Sequence, residues 1–240
     1  METLTSGEVH IWYLWPDKVT VPEVLEGHKR LLSEEELAGN AAFRFPEHRH
    51  LHLLTRAFVR RLLSRYADVN PSEWQFTRDS YGKPRVSGPF VPAGSFSISH
   101  TRGLIVCAFA ESVVRIDAEF LRTSTDSLQI AEHFFSPTEY GDLSRLPESM
   151  KQYRFFEYWT LKESYVKARG LGMSLDLSKF AFHIAGQDIR ISFEAGEQDP
   201  ASWQFRLLRP SDSHIAAASV QCGPDAEVEW NVRDGTALMQ

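Results

Sequence analysis

Cysteine is scarce in this chain. Cys107 and Cys222 are the only two in 240 residues, too few for a disulfide scaffold or a cysteine-rich zinc site, which makes a reducing compartment the default. Long apolar runs are also missing. The longest, Leu104 to Ala110, falls far short of the roughly 20 residues needed to span a bilayer. The amino terminus carries an early Glu2 and no basic-then-apolar segment, so no signal peptide is expected and a cytoplasmic location is. Positive charge is in deficit. A net charge of −6 argues against general nucleic-acid binding, while leaving room for a local basic patch. The 42% hydrophobic and 24% charged fractions are those of a globular protein, and the length permits a sizeable core in one domain or two small lobes.

The most informative stretch runs from Trp159 to Gly172. Aromatic residues precede it, no proline interrupts it from Ser149 onward, and Gly170 offers a C-cap, so it reads as a helix. Trp159, Glu163 and Lys167 are spaced four apart and share one face. In isolation, Glu163 and Lys167 make an ordinary surface ion pair of about 0.3–0.5 kcal/mol.

A second stretch, Val113 to Phe120, is β-branched and alternating, the pattern of a strand. Arg115, Asp117 and Glu119 then point to one side, and Val114, Ile116, Ala118 and Phe120 to the other. A solvated polar face would explain the two carboxylates. So would a hard divalent cation between them, with Glu163 supplying a third oxygen.

The remainder reads in order. Val9 to Trp15 forms a strand, Ser33 to Glu36 a capping box before a short helix, and Glu47 to Ala67 a longer helix. Its stripe Leu51, Leu54, Phe58, Leu62 and Tyr66 is core. Trp74 to Thr77 is a strand, Tyr81 to Pro84 a turn, and Ser95 to His100 leads on to Leu104–Ala110 and Val113–Phe120, read as a hairpin. Ser124 to Phe135 and Pro137 to Arg145 are short helices, the second opened by Ser136-Pro137-Thr138-Glu139, which makes Glu139 structural. Five strand-like segments follow: 180–184, 189–193, 203–208, 214–220 and 228–232. The pattern of Gly103–Ala110 is echoed faintly by Ser213–Val220.

Together the strand and the helix resemble the 4′-phosphopantetheinyl transferases, in their long, surfactin-type branch. That family carries a Gly-hydrophobic-Asp-x-Glu strand and, about forty residues on, Trp-x-x-Lys-Glu-x-x-x-Lys with a glycine pair. Here Trp159, Lys162, Glu163, Lys167, Gly170 and Gly172 complete the second motif; the first departs only in Arg115, where the family has glycine. Phe96, Ser99 and His100 match the family's Phe-Asn-x-Ser-His-Ser, with Ser97 and Thr101 as departures. The Phe-Phe-Ser-x-x-Glu segment is present at Phe134 to Glu139. The resemblance covers nearly the whole chain.

The resemblance implies an α+β fold of two pseudosymmetric α/β lobes, with antiparallel sheets packed against helices and the active site between them. The expected division is residues 1–112, taking the coenzyme's adenine and phosphates, and residues 113–240, carrying the metal site and catalytic helix. It implies Mg²⁺ on Asp117, Glu119 and Glu163, with Glu163 as ligand, proton acceptor or both. It places Arg44, Arg49, Arg56, Gly82, Lys83, Pro84, Ser99, His100, Lys162 and Lys167 near coenzyme A. The implied reaction moves 4′-phosphopantetheine from coenzyme A, as substrate, to a serine of an acyl, peptidyl or aryl carrier protein, and adenosine 3′,5′-bisphosphate leaves. A monomer suffices; neither nucleic acid nor membrane is an expected partner. The pathway (fatty acid, polyketide, nonribosomal peptide or lysine biosynthesis) is not encoded in these motifs.

Two rival functions fit parts of the pattern. A metal-dependent nuclease also uses Asp-x-Glu and a lysine, but the acidic balance and the lack of interleaved basic and aromatic residues oppose it. A non-catalytic relative that binds coenzyme A or a carrier protein is favoured only by Arg115. Three roles are open to that side chain: folding onto Asp117 and competing with the metal, reaching the coenzyme's phosphates, or turning to solvent. A role away from the metal ligands is expected.

Overall fold

The computed structural model describes residues 1–78, 84–90, 94–122, 126–170, 175–193, 200–224 and 226–240. One run of elements occurs twice. The first comprises strand β1 (Glu8–Leu14), helices α1 (Pro22–Lys29), α2 (Glu34–Ala41) and α3 (Pro46–Tyr66), strands β2 (Gln75–Arg78) and β3 (Pro84–Ser87), then β4 (Ser95–Thr101) and β5 (Leu104–Ala110). The second comprises β6 (Val114–Phe120), α4 (Ser127–Phe134), α5 (Pro137–Arg145), α6 (Glu148–Arg169), β7 (Phe180–Ala185), β8 (Asp188–Phe193), β9 (Trp203–Ser211) and β10 (His214–Gln221). A last strand, β11 (Glu229–Asp234), has no counterpart in the first run.

The sheets repeat as the elements do. One is ordered β11-β1-β5-β4 and the other β6-β10-β9. Leaving β11 aside, each places its opening strand beside the second strand of its last hairpin, all antiparallel. The echo between Gly103–Ala110 and Ser213–Val220 thus marks the central strands of two matching sheets. Both are buried almost throughout, as strands flanked on both edges and covered on both faces must be.

Each lobe packs its longest helix on its own sheet. Leu54, Phe58 and Leu62 of α3 are fully buried beside Trp12, Leu14, Ile105 and Cys107. Leu161 and Tyr165 of α6 sit in an aromatic core with Phe155, Phe182, Phe205 and Ala217. A third core lies between the sheets, where Val9, Ile11, Leu104, Val106 and Ala108 meet Val114, Ile116, Ala118, Ala216 and Ala218. Alanines recur there because two sheets approach closely only over small side chains. Among the described residues no helix is long and apolar enough to cross a membrane.

One expectation changes. Leu104–Ala110 and Val113–Phe120 do not form a hairpin: β5 already has β1 and β4 on its edges, and β6 pairs with β10. The hairpin partner of β5 is β4, joined through Gly103, whose φ of +75° suits a residue without Cβ. One element crosses the expected division at residues 112 and 113. β11 runs parallel to β1, pairing Trp230 with Val9 and Val232 with Ile11, and Met239 is buried in the first lobe's core. The chain's end therefore belongs structurally with its beginning.

Candidate active site

The site begins with how β6 is held. Val114, Ile116 and Ala118 face the core between the sheets, so alternation turns Asp117 and Glu119 the other way, toward α6. Alternate serines of β4 run alongside. Ser97 Oγ accepts from the Ile116 N–H (3.2 Å), Ser99 Oγ donates to Asp117 Oδ1 (3.1 Å), and Arg115 Nη1 donates to Ser95 Oγ (3.0 Å). The two lobes are thus joined side chain to strand at the point where the carboxylates emerge. Arg115 also donates to the Val114 carbonyl. Its guanidinium is directed along β4 toward Ser95, away from Ser99 and Asp117.

Helix α6 brings the opposing groups. Proline precedes it, none interrupts it, and Gly170 closes it in the left-handed region at φ +66°. Lys167 Nζ lies 2.5 Å from Asp117 Oδ1. Among the described residues Lys167 pairs with this strand carboxylate and not with its helix neighbour Glu163. Trp159, stacked on Phe155 at 5.9 Å, lies beside Glu119 and favours its charged form. The shared face of Trp159, Glu163 and Lys167 is therefore turned onto the face of Asp117 and Glu119.

The electrostatics record a shortage of positive charge. Asp117 is 4% exposed, and its Oδ2 is buried without a hydrogen-bond partner. Glu119 is pushed up to about 7 by desolvation and then by Asp117, with Trp159, Arg122 and Lys167 only partly offsetting this. Glu163 is raised for the same two reasons, with Lys167 opposing. Three carboxylates share one ammonium, and one of them, Asp117, keeps a buried oxygen without a partner. Oxygen-only donors short of positive charge are what a hard divalent cation requires, so the residues fit Mg²⁺ chemically. As they stand they are not gathered into a preformed cage: among the described residues no group of three His, Cys, Asp or Glu is close enough together to hold a metal.

The remaining candidates divide. His100, at the end of β4, is open to solvent at its edge. Desolvation, then the cations Arg56 and Lys167, push it below the usual histidine range, leaving it neutral at pH 7 with one donor and one acceptor. Helix α3, β4 and α6 therefore converge at His100. Arg56 also lies 3.9 Å from Glu36. Arg49 donates to the carbonyls of Phe43 (2.8 Å) and Arg44 (3.3 Å), and Arg44 lies over the Phe45 ring at 5.4 Å, so these two stay at the entrance to α3. Gly82, Lys83 and Gly172 lie outside the described residues; Pro84 opens β3, and its side chain is likewise outside them.

Lys162 is the exception to the predicted set. It is completely buried, 2.8 Å from Glu139 Oε2, and donates to the carbonyls of Leu177 (2.6 Å) and Phe180 (2.8 Å). Those three partners use all three ammonium protons. The structure turns Lys162 into the core of the second lobe, away from the carboxylates of β6. Sequence reasoning also misses Arg122, whose only signal is a basic residue just past the end of β6.

The 4′-phosphopantetheinyl transferase superfamily matches residues 114–219, the span from β6 to β10 that carries the carboxylates and α6. The chain is 36% identical over 225 residues to 4′-phosphopantetheinyl transferase HetI of Nostoc sp., covering 91% of this chain and 90% of that protein. It is 34% identical over 184 residues to 4′-phosphopantetheinyl transferase Sfp of Bacillus subtilis, covering 77% and 80% respectively. Holo-[acyl-carrier-protein] synthase (AcpS) of Thermotoga maritima overlays 47% of this chain and 64% of its own, at a TM-score of 0.38 and 16% identity, too loose a likeness to carry an argument. The matching topology of two lobes, the carboxylate–lysine face where they meet, and identity across almost the full length of HetI place this chain in the 4′-phosphopantetheinyl transferase superfamily, in its surfactin-type branch.

Proposed function

We propose that the protein transfers 4′-phosphopantetheine from coenzyme A to a serine of an apo acyl, peptidyl or aryl carrier protein in a Mg²⁺-dependent reaction. The observation that carries this reading is the meeting of Asp117 and Glu119 on β6 with Glu163 and Lys167 on α6, around a buried carboxylate oxygen that has no partner. Relatives named as phosphopantetheinyl transferases support the reaction class.

The serine hydroxyl attacks the β-phosphorus of coenzyme A. The new P–O bond joins phosphopantetheine to the serine, the pyrophosphate bond breaks, and adenosine 3′,5′-bisphosphate leaves. The enzyme supplies charge neutralisation and orientation, not a nucleophile of its own. Asp117 and Glu119, with Glu163, would hold Mg²⁺, which supplies charge stabilisation on phosphate oxygens when bound. Lys167 neutralises pyrophosphate charge once it leaves Asp117 Oδ1. Glu163, with its raised proton affinity, is suited to receive the serine proton, directly or through a water. His100 and Arg56 supply donors where the lobes meet.

The placement of Arg115 against Ser95 supports the catalytic reading over that of a non-catalytic binder, because it leaves Asp117 to Lys167 and Ser99. Mass spectrometry of apo-carrier proteins incubated with the enzyme, Mg²⁺ and coenzyme A tests the proposal. A folded, coenzyme-binding protein that adds no pantetheine mass to any carrier of a broad panel would refute it.

A further inference from the structure

The repeated topology extends to a pair of buried clamps. In the first lobe Glu36, the capping-box glutamate of α2, lies 2.6 Å from Arg60 of α3, which is 2% exposed. Arg60 donates to the carbonyls of Trp74 (2.5 Å) and Pro71 (3.3 Å) in the 3-10 turn before β2, and lies 4.9 Å from the Phe76 ring. In the second lobe Glu139, the capping-box glutamate of α5, holds Lys162 of α6. Lys162 donates to Leu177 and Phe180 in the 3-10 turn leading into β7, and its ammonium lies 4.2 Å from the Phe180 ring. Each clamp fastens the long helix to the short helix before it and to the turn after it.

The residue five positions further on is aimed the same way in both lobes. Arg65 lies 5.4 Å from the ring of Trp12 on β1, and Lys167 lies on Asp117 of β6. The registers match as well: Trp12 pairs with Cys107, and Asp117 with Ala217, at equivalent places on the two central strands. One frame thus presents a cation to an indole in one lobe and to a carboxylate in the other. On α6 the positions of Glu163 and Lys167 are rotated from Lys162 by about 100° and 140°, so a clamp on the α5 side fixes which way both groups face.

We infer that Lys162, locked to Glu139, is a positioning residue that sets the roll of α6 so that Glu163 and Lys167 meet the carboxylates of β6, and that it is not a ligand of the coenzyme. The inference rests on the transferase reading above for its kinetic consequence, but not for its structural one. Glu139 is itself fully buried and also accepts from the backbone N–H groups of Ser136 (3.0 Å) and Phe182 (2.9 Å), so it anchors the clamp whatever the lysine does. Removing Lys162 alone strands a buried carboxylate, and the single variant is expected to lose stability.

The test is therefore the double variant Glu139→Gln/Lys162→Met, which leaves no unpaired charge, set beside Lys162→Met and wild type. Thermal unfolding is expected to recover at least half of the loss seen in Lys162→Met. In the double variant kcat should fall tenfold or more, while KM for coenzyme A stays within twofold. Amine-reactive labelling of Lys167, read by peptide mass spectrometry on the metal-free protein, should rise at least threefold as its contact with Asp117 is lost. An unchanged kcat or unchanged labelling in the folded double variant would make the clamp purely stabilising and overturn the inference. A KM for coenzyme A raised more than tenfold would overturn it by making Lys162 a ligand. If wild type itself transfers nothing, the proposed function fails on its own and the labelling alone decides the positioning role.

Discussion

Glu119→Gln offers the sharpest test of the electrostatics at the site. In the metal-free protein the Glu119 carboxyl is raised from an ordinary 4.5 to about 7, chiefly by desolvation and then by Asp117. The sign of the effect follows from proton counting. Below pH 4.5 both folded and unfolded chains hold the proton. Between 4.5 and about 7 the unfolded chain has released it while the folded protein retains it, so stability is lost as pH rises through that window. At about 1.4 kcal/mol for each unit of pKa, the loss is at most about 3 kcal/mol. Glu163, raised for the same reasons, adds in the same direction. A neutral amide at position 119 removes the larger part of this penalty. In thermal unfolding with a chelator present, Glu119→Gln should match wild type near pH 5 and melt roughly 4–8 °C higher at pH 8. Saturating Mg²⁺, which favours the ionised carboxylates, should flatten the pH dependence of wild type. The reasoning fails if the variant melts below wild type at pH 8, or if Mg²⁺ leaves the pH dependence unchanged.

Two further outcomes are expected. Lys167→Ala should lower kcat by about two to three powers of ten, as for the loss of a preorganised electrostatic contact, and lower the stability of the metal-free protein by about 1–3 kcal/mol, since it leaves the buried Asp117 carboxylate without its counter-ion; in calorimetric titration without coenzyme the variant should bind Mg²⁺ more tightly, because the ammonium no longer occupies Asp117 Oδ1, and wild-type turnover would return Lys167 to an incidental ion pair. Arg115→Gly should leave the Mg²⁺ concentration for half-maximal rate within twofold, because the guanidinium lies against Ser95; a large fall in that concentration would show that Arg115 competes with the metal, and a weakened coenzyme A affinity would make it a phosphate ligand.

Local signals in the sequence were reliable because local physics decides them. The capping boxes at Ser33 and Ser136 form with both halves in place, and α5 has the expected limits. The spacing of Trp159, Glu163 and Lys167, and of Asp117 and Glu119, brings the intended faces together because helix and strand periods are fixed by backbone geometry. What escaped the sequence was partnership at long range. β5 and β6 are apolar neighbours joined by a short turn, and nothing in either reveals that β1 and β4 already occupy both edges of β5. The return of β11 to β1 joins strands from opposite ends of the chain. The burial of Lys162 was hidden for the same reason. Its motif sets it beside Glu163, whereas its burial depends on Glu139 and on carbonyls beyond the helix. Glu139 was legible as a cap, but not as a counter-ion.

The face shared by β6 and α6 is proposed to transfer phosphopantetheine to a carrier serine. The most direct measurement is intact-protein and peptide mass spectrometry of a panel of apo-carrier proteins after incubation with wild-type enzyme, coenzyme A and Mg²⁺, with Asp117→Ala and chelator controls. The added mass of one phosphopantetheine is expected on a single serine of at least one carrier, abolished by the chelator and by Asp117→Ala. A folded wild-type enzyme that binds coenzyme A yet modifies no carrier, or one that modifies a carrier equally well in the presence of chelator, would contradict it.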